Sequence, residues 1–296
     1  MWFRNLSAYR LPRPCNLTSA HVGAALEPME FKPCESLEMY SVGWVEPFND
    51  GQLAYPIPGG HFFAALCSEK KNVPAQVVDR MTRERCAELE QQQGFRPGRK
   101  QTKEIKEAVI DELLPRAFTT RAVTRVWFDP VGGWLAMDTA SAARCDEVFR
   151  MLVRSFEGGQ FACNTLRTKL SPRAAMTDWL ASDEMPADFT ADHEAELQGT
   201  GDGKPTLRYI RHVLDDTPRH VAAGKQCTRL AMTWADRISF VLTDGLALKR
   251  IAPLDVLKEG EIEADEAGRR DADLTLMAGE FRKLLVGLVE ALGGEE

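Results

Sequence analysis

No run in this 296-residue chain approaches the roughly 20 consecutive apolar residues that a membrane-spanning helix needs, so no membrane partner is expected. The opening MWFRNLSAYRLPRP sets Arg4 among its apolar residues and lacks a long apolar stretch, so no secretory signal is read there. The seven cysteines (Cys15, Cys34, Cys67, Cys86, Cys145, Cys163, Cys227) form no CxxC pair, and no His/Cys spacing suits zinc. Free thiols in a reducing cytoplasm are the expectation. The five histidines (His21, His61, His193, His212, His220) are scattered, without an HExxH, and no GxSxG is present. The nearest approach to a phosphate loop, GTGDGKP at 199–205, has Gln198 where the motif needs glycine and Pro205 where it needs Ser or Thr. Catalytic and cofactor-binding motifs are therefore missing, and neither an enzyme nor a bound cofactor or metal is expected.

Apolar residues make up 44% of the chain, enough for a sizeable core. The formal charge is −7, which argues against a polyanionic partner only if the charge is spread evenly. It is not. Between Arg96 and Lys106 there are five basic residues (Arg96, Arg99, Lys100, Lys103, Lys106) and one acid, Glu104. From Lys258 onward there are eleven acids and five bases.

Residues 2–11 read as a strand, 19–27 as a short helix and 40–45 as a second strand. HFFAALC at 61–67 is apolar on both faces, as a central strand would be. Residues 74–93 and 99–114 then read as two helices around the breaker GFRPG, the second stopped by Pro115. Strands follow at 120–128 and in the last residues of WFDPVGGWLAM. Residues 141–156 form an amphipathic helix with Ala142, Val148, Met151, Leu152 and Phe156 inward, and another helix starts near Pro172. Strands are expected at 206–213, in TRLAMTW and in RISFVLT, where Asp244-Gly245 turns the last of these into LALKRI. A final helix runs near 276–292. This order, without βαβ regularity, predicts an α+β fold: a mixed body with antiparallel sheets and an inserted helical finger. The expected divisions are 1–73 with 119–165 as the first part of the body, 74–118 as the finger, and 166–296 as the second part, ending in the C-terminal helix.

The segment ELLPRAFTTR at 112–121 follows the basic run. Proline ends an apolar helix, and Arg116, Phe118 and Arg121 come next. A buried turn has no use for the charges, and a solvated turn has none for the aromatic. On the preceding helix Arg99, Lys100, Lys103 and Lys106 share an arc roughly 120° wide, with Ile105, Ala108, Val109 and Leu113 largely on the other side. A solvated face screened by Glu104 and Glu107 explains this segment equally well. Arg121 and Arg125 lie on one face of a strand and extend the track. A second basic run, RYIRH at 208–212, reads either as a phosphate-contacting strand or as an edge guarded by charge.

LLPRAF, the opening MWFRNL, FKPC, GWVEP, WFDP, ASAARCDEV, MTDWL, AGKQCTRLAMTWADRISFVL, LMAGE and EALGGE, taken in this order over nearly the whole chain, resemble the recombination-associated RdgC family of proteobacteria. The resemblance implies a ring-shaped homodimer with a positively lined hole. It implies sequence-independent binding of double- and single-stranded DNA, restriction of the recombinase RecA, residence on the nucleoid in the cytoplasm, and no catalysis or cofactor. It assigns DNA contacts to Arg116 and Phe118. It also matches Arg211 and His212, across a gap, with a Lys-Gln pair of the family. The alternative of another class is a protein-interaction module that binds a basic partner, or the recombinase itself, through the acidic C-terminal segment.

Overall fold

The computed structural model describes residues 2–156, 161–199, 206–210, 217–257 and 265–296. Two compact units emerge: Met1–Leu26, Glu46–Ala64 and Thr124–Glu296 form the first, and Glu27–Val45 with Ala65–Val123 the second. The fold is α+β.

The first unit holds β1 (Asn5–Arg10), β3 (Tyr55–Ile57), the start of β4 (His61–Asn72), the end of β5 (Phe118–Asp129) and β6 (Trp134–Met137). It continues with β7 (Asn164–Thr165), β8 (Phe189–Gly199), β9 (Thr206–Ile210), β10 (Lys225–Trp234), β11 (Ile238–Thr243) and β12 (Ala247–Pro253). Antiparallel ladders join them in the order β5-β6-β1-β12-β11-β10-β8-β9. The expected turn at Asp244-Gly245 closes the β11–β12 hairpin, and the Thr243 hydroxyl bonds both the carbonyl and the N–H of Ala247.

Helices α1 (Ser19–Leu26), α4 (Ala142–Ser155), α5 (Pro172–Ser182), α6 (Thr217–Ala222) and α7 (Glu266–Ala291) belong to the same unit. The Ser171 hydroxyl caps α5 and the Asp265 carboxylate caps α7, each accepting from a backbone N–H of the first turn. Leu274, Met277, Ala278, Phe281, Leu284, Leu285, Leu288 and Val289 recur at helical spacing along α7 and are buried. Phe281 meets Phe3 and Trp127 edge-on or tilted. Full burial of each such large side chain contributes about 1.5–3 kcal/mol. Among the described residues of this unit, the Asp129 and Glu280 carboxylates are buried and compensated. Asp129 accepts two bonds from Arg282, at 2.7 and 2.6 Å, and one from the Gly132 N–H at 2.7 Å. Glu280 accepts from Arg237 at 2.7 and 3.1 Å and from Lys283 at 3.2 Å.

The second unit comprises β2 (Tyr40–Val45), the rest of β4, α2 (Ala75–Gln93), α3 (Arg99–Leu113) and the start of β5. β2 pairs antiparallel with β4 from Val45↔Ala65 to Tyr40↔Lys70. Gly43 is required here: a Cβ at this position would lie 2.4 Å from the Phe31 Cα and 2.6 Å from its N. Both expected helices are present. Pro74 caps α2 from outside, Gly94 ends it in the left-handed region (φ 79°), and the Gln101 amide oxygen accepts from the Gly98 N–H at the start of α3. The Asp79–Lys106 pair (2.8 Å) and the Arg85–Glu112 pair join the two helices.

Several expectations need correction. Ala142 is exposed and Cys145 takes the inward place on α4, because Ala142 is the first helical residue and Cys145 lies one turn further in. Ala108 is exposed, and Val109 is the buried residue of α3. The last helix begins at Glu266, ten residues before the expected start, because its early turns are mainly polar and carry little apolar signal. β8 was not expected at all.

Candidate nucleic-acid interface

Pro115 stops α3, and one 3-10 turn, Leu114–Arg116, carries the chain round. Leu114 is buried and anchors the turn, and the Ala117 N–H bonds the Leu114 carbonyl at 3.2 Å. Ala117 is extended (φ −73°, ψ 137°), so the next residue, Phe118, opens β5 directly. Phe118 is 89% exposed, the highest value among the exposed large apolar side chains. Arg116 is exposed too and has no ion-pair partner among the described residues. The helix stop therefore presents, two positions apart, an exposed guanidinium without an ion-pair partner among the described residues and a bare aromatic ring.

The cations of the hairpin are mostly engaged. Arg96 lies 3.4 Å from Glu90, Lys100 4.0 Å from Glu104, Lys103 3.6 Å from Glu107 and Lys106 2.8 Å from Asp79. Lys106 holds the Asp79 carboxyl below its ordinary range, by hydrogen bond and by charge. Arg99, in the first turn of α3, is exposed and unpaired among the described residues. The pairs on this hairpin sit in solvent, where ion pairs contribute little and exchange readily for other anions.

Arg121 is placed differently. It donates to Glu69, whose side chain is buried, and its guanidinium lies 5.2 Å over the Phe31 ring. Glu69 also accepts from the Cys34 N–H at 2.8 Å. The Arg121 hydrogen bond, then that of the Cys34 amide, hold the Glu69 carboxyl below its ordinary range, and Arg121 is raised in turn. Arg121 thus ties β5 to β4 and to the segment at 31–34 and has less freedom to meet a ligand. Nothing in the reading of the sequence singled out Glu69. Its signal was the alternation along β4: Phe63, Ala65 and Cys67 put Glu69 and Lys71 on the same inward face. The buried Lys71 ammonium is satisfied by the carbonyls of Glu35 and Ser36.

Arg116, Phe118, Arg121, Arg96, Arg99, Lys100, Lys103 and Lys106 all belong to the second unit. Arg211 and His212 lie outside the described residues. Arg208 stands opposite Glu196 in the β8–β9 ladder. Arg125 belongs to the first unit. Among the described residues no group of three or more His, Cys, Asp or Glu side chains is arranged to hold a metal ion, and no helix is long and apolar enough to cross a membrane.

The chain is matched over residues 1–295 by the model of the RdgC family, described as "Putative exonuclease, RdgC". Proteins named "Recombination-associated protein RdgC" are similar over the full chain. That of Herminiimonas arsenicoxydans is 51% identical, covering 100% of this chain and 99% of its own. Those of Cupriavidus necator and Bordetella pertussis are 52% and 47% identical at the same coverage. Agreement of this depth over the whole length means that the chain belongs to the RdgC family of recombination-associated proteins.

Proposed function

We propose that this protein binds double- and single-stranded DNA without sequence preference, as a ring-shaped homodimer around the strand, and so limits RecA-promoted recombination on the nucleoid. The observation that carries the reading is the exposed Phe118 next to the unpaired Arg116. Arg116 supplies a charge-assisted contact to a phosphate, and Phe118 stacks on an unpaired base or wedges at a base step. Arg99, and the hairpin lysines once released from their carboxylates, extend the phosphate track. Arg211 and His212 join it if the family's second contact carries over.

A two-fold ring needs two isologous contacts. The helical finger at 74–118 supplies one through its tip, where Phe95 is 62% exposed, and the body supplies the other. Closure around DNA turns weak contacts into long residence, and covered DNA cannot nucleate a recombinase filament. The protein acts by occupancy and does not cut the strand it holds. The alternative, docking of a basic partner on the acidic C-terminal segment, draws less support. Glu280, Asp271 and Glu295 of that segment are already bound to Arg237, Tyr55 and Arg10.

The test is substitution of Arg116→Ala and Phe118→Ala separately, with binding to end-labelled random-sequence duplex and single strand and dimerisation by sedimentation. The expected result is weaker binding with dimerisation intact and labelled strands uncut in the presence of magnesium. Loss of a stacked ring weakens single-strand binding about 5- to 150-fold, from roughly 1–3 kcal/mol per base. Binding unchanged in both variants would overturn the reading, and shortened strands would overturn action by occupancy.

A further inference from the structure

A buried histidine in the first unit touches two charged groups that the proposed function does not use. His61 opens β4 and is 6% exposed. Its Nε2 lies 3.2 Å from Nη2 of Arg282, on α7, and its Nδ1 lies 3.6 Å from Oδ1 of Asp129, at the end of β5. Arg282 holds Asp129 at the same time, Nε on Oδ2 and Nη2 on Oδ1, and the Gly132 N–H of the β5–β6 turn donates to Oδ1. The turn closes tightly on this pair: a Cβ at Gly132 would run into the Asp129 carboxylate and lie 3.0 Å from Nε of Arg282. One carboxylate thus joins β4, the β5–β6 turn and α7.

Hydrogen-bond chemistry places the ring proton. A guanidinium only donates, so Nε2 of His61 accepts and the proton sits on Nδ1. At 3.6 Å that N–H is too far from Asp129 for a hydrogen bond, and Nδ1 is buried without a hydrogen-bond partner among the described residues. A second proton on the ring would set a donor and a positive charge against Nη2 of Arg282, so one group has to move. The Arg282 side chain is 34% exposed and can turn into water. The imidazole is enclosed by the Trp127 ring, with centroids 5.6 Å apart, and by Gly59, where a Cβ would lie 3.1 Å from its Cδ2. Asp129 is fully buried and needs a cation, which a protonated His61 supplies by closing the 3.6 Å gap. Asp129 and Arg282 are the charged groups that act on the ring, and Arg13 also reaches this turn, at the Gly132 carbonyl. Burial pushes the imidazole below its ordinary value of 6.5, the Asp129 charge pulls it up, and the Arg282 charge adds to the lowering. The unfolded chain therefore takes the proton first as pH falls. The stabilisation is whole above about pH 6.5 and shrinks as pH drops toward the lower folded value.

We infer that His61 is a proton-sensitive catch on α7: neutral, it seats Arg282 on Asp129, and when it takes a proton from solvent at Nε2, Asp129 exchanges Arg282 for His61 and the joint between α7 and the β5–β6 turn opens. The opening is local, because the buried Leu284, Leu285 and Leu288 keep α7 on the core. The catch does not rest on DNA binding and is tested without DNA, so either proposal can fail alone.

The test is NMR of the full chain from about pH 7.5 to 4.5, the range in which histidine changes charge. It follows the His61 imidazole and the exchange of the Gly132 amide, corrected for the intrinsic effect of pH. His61 is expected to titrate below 6.5. The Gly132 amide is expected to lose protection about tenfold along the same curve, the scale of one charge-assisted hydrogen bond, while the Leu285 amide keeps its own. His61→Gln, whose amide oxygen accepts from Arg282 at every pH, is expected to abolish the loss. If that variant does not fold, the coincidence of the two wild-type curves decides. Gly132 protection that stays constant while His61 titrates, a loss that persists in His61→Gln, or an equal loss at Leu285, as in acid unfolding of the whole helix, would overturn the inference. So would a His61 that titrates at or above 6.5, or not at all in this range.

Discussion

Burying a phenylalanine side chain stabilises a fold by about 1.5–3 kcal/mol, yet Phe118 stays 89% exposed at the head of a strand. None of the described residues takes up that surface, which leaves it open to another molecule. The oddity was legible in the sequence, because PRAF sets a ring between charges after a helix stop. Glu69 is the opposite case, a carboxylate hidden under Arg121 and the Cys34 amide. Its folded carboxyl titrates below the ordinary value of 4.5, to which it returns on unfolding. The unfolded chain therefore binds the proton first as pH falls. The stabilisation is present above about pH 4.5 and is lost as pH drops through the lower folded value. Glu69→Gln is expected to be less stable than the wild type near neutral pH, with the gap narrowing below about pH 4.5 in urea denaturation. A gap constant across pH would show that the charge does not matter.

Elements were easier to read than single contacts. Helices α2 and α3 announce themselves through Pro74, Gly94, Gly98 and Pro115, all local signals, and the β11–β12 turn through Asp244-Gly245. β8 carries no such signal. Its sequence, FTADHEAELQG, is polar at Asp192, His193, Glu194 and Glu196, and its ladder to β10 has two register shifts that blur the alternation. It is a strand because β9 and β10 flank it, which no local pattern reveals. The site was legible in part for the same reason. The basic residues could be counted, and Glu104 and Glu107 named as their local partners one turn on, but Glu90 and Asp79 as partners depend on the inter-helix turn and on helix pairing. Gly43 shows how far one backbone approach constrains an element. Gly43→Ala puts a methyl against the Phe31 backbone rather than a flexible side chain, where the Phe31 N–H bonds the Trp44 carbonyl at 2.8 Å. It is expected to cost about 1–3 kcal/mol in urea denaturation and to speed hydrogen exchange at the Phe31 amide. An alanine variant as stable as the wild type would contradict this close approach.

For the molecule as a whole, the net charge of −7 conceals a local arrangement in which most cations of the α2–α3 hairpin already hold carboxylates. On the proposed function, binding of DNA there is an exchange: phosphates replace exposed carboxylate partners, and the condensed counterions of DNA are released. Arg116 and Arg99 enter the exchange without giving up an ion-pair partner among the described residues, so they weigh more than the number of lysines suggests. The most direct measurement is the dissociation constant of the protein for random-sequence duplex at rising salt, by fluorescence anisotropy, for the wild type and Arg116→Ala. Wild-type affinity is expected to fall about 10³-fold between 50 and 200 mM salt if about six phosphates are neutralised, and the slope of Arg116→Ala to be shallower by about one for each phosphate that the variant no longer binds. An affinity indifferent to salt, or an Arg116→Ala line that overlies the wild type, would contradict phosphate binding at this edge.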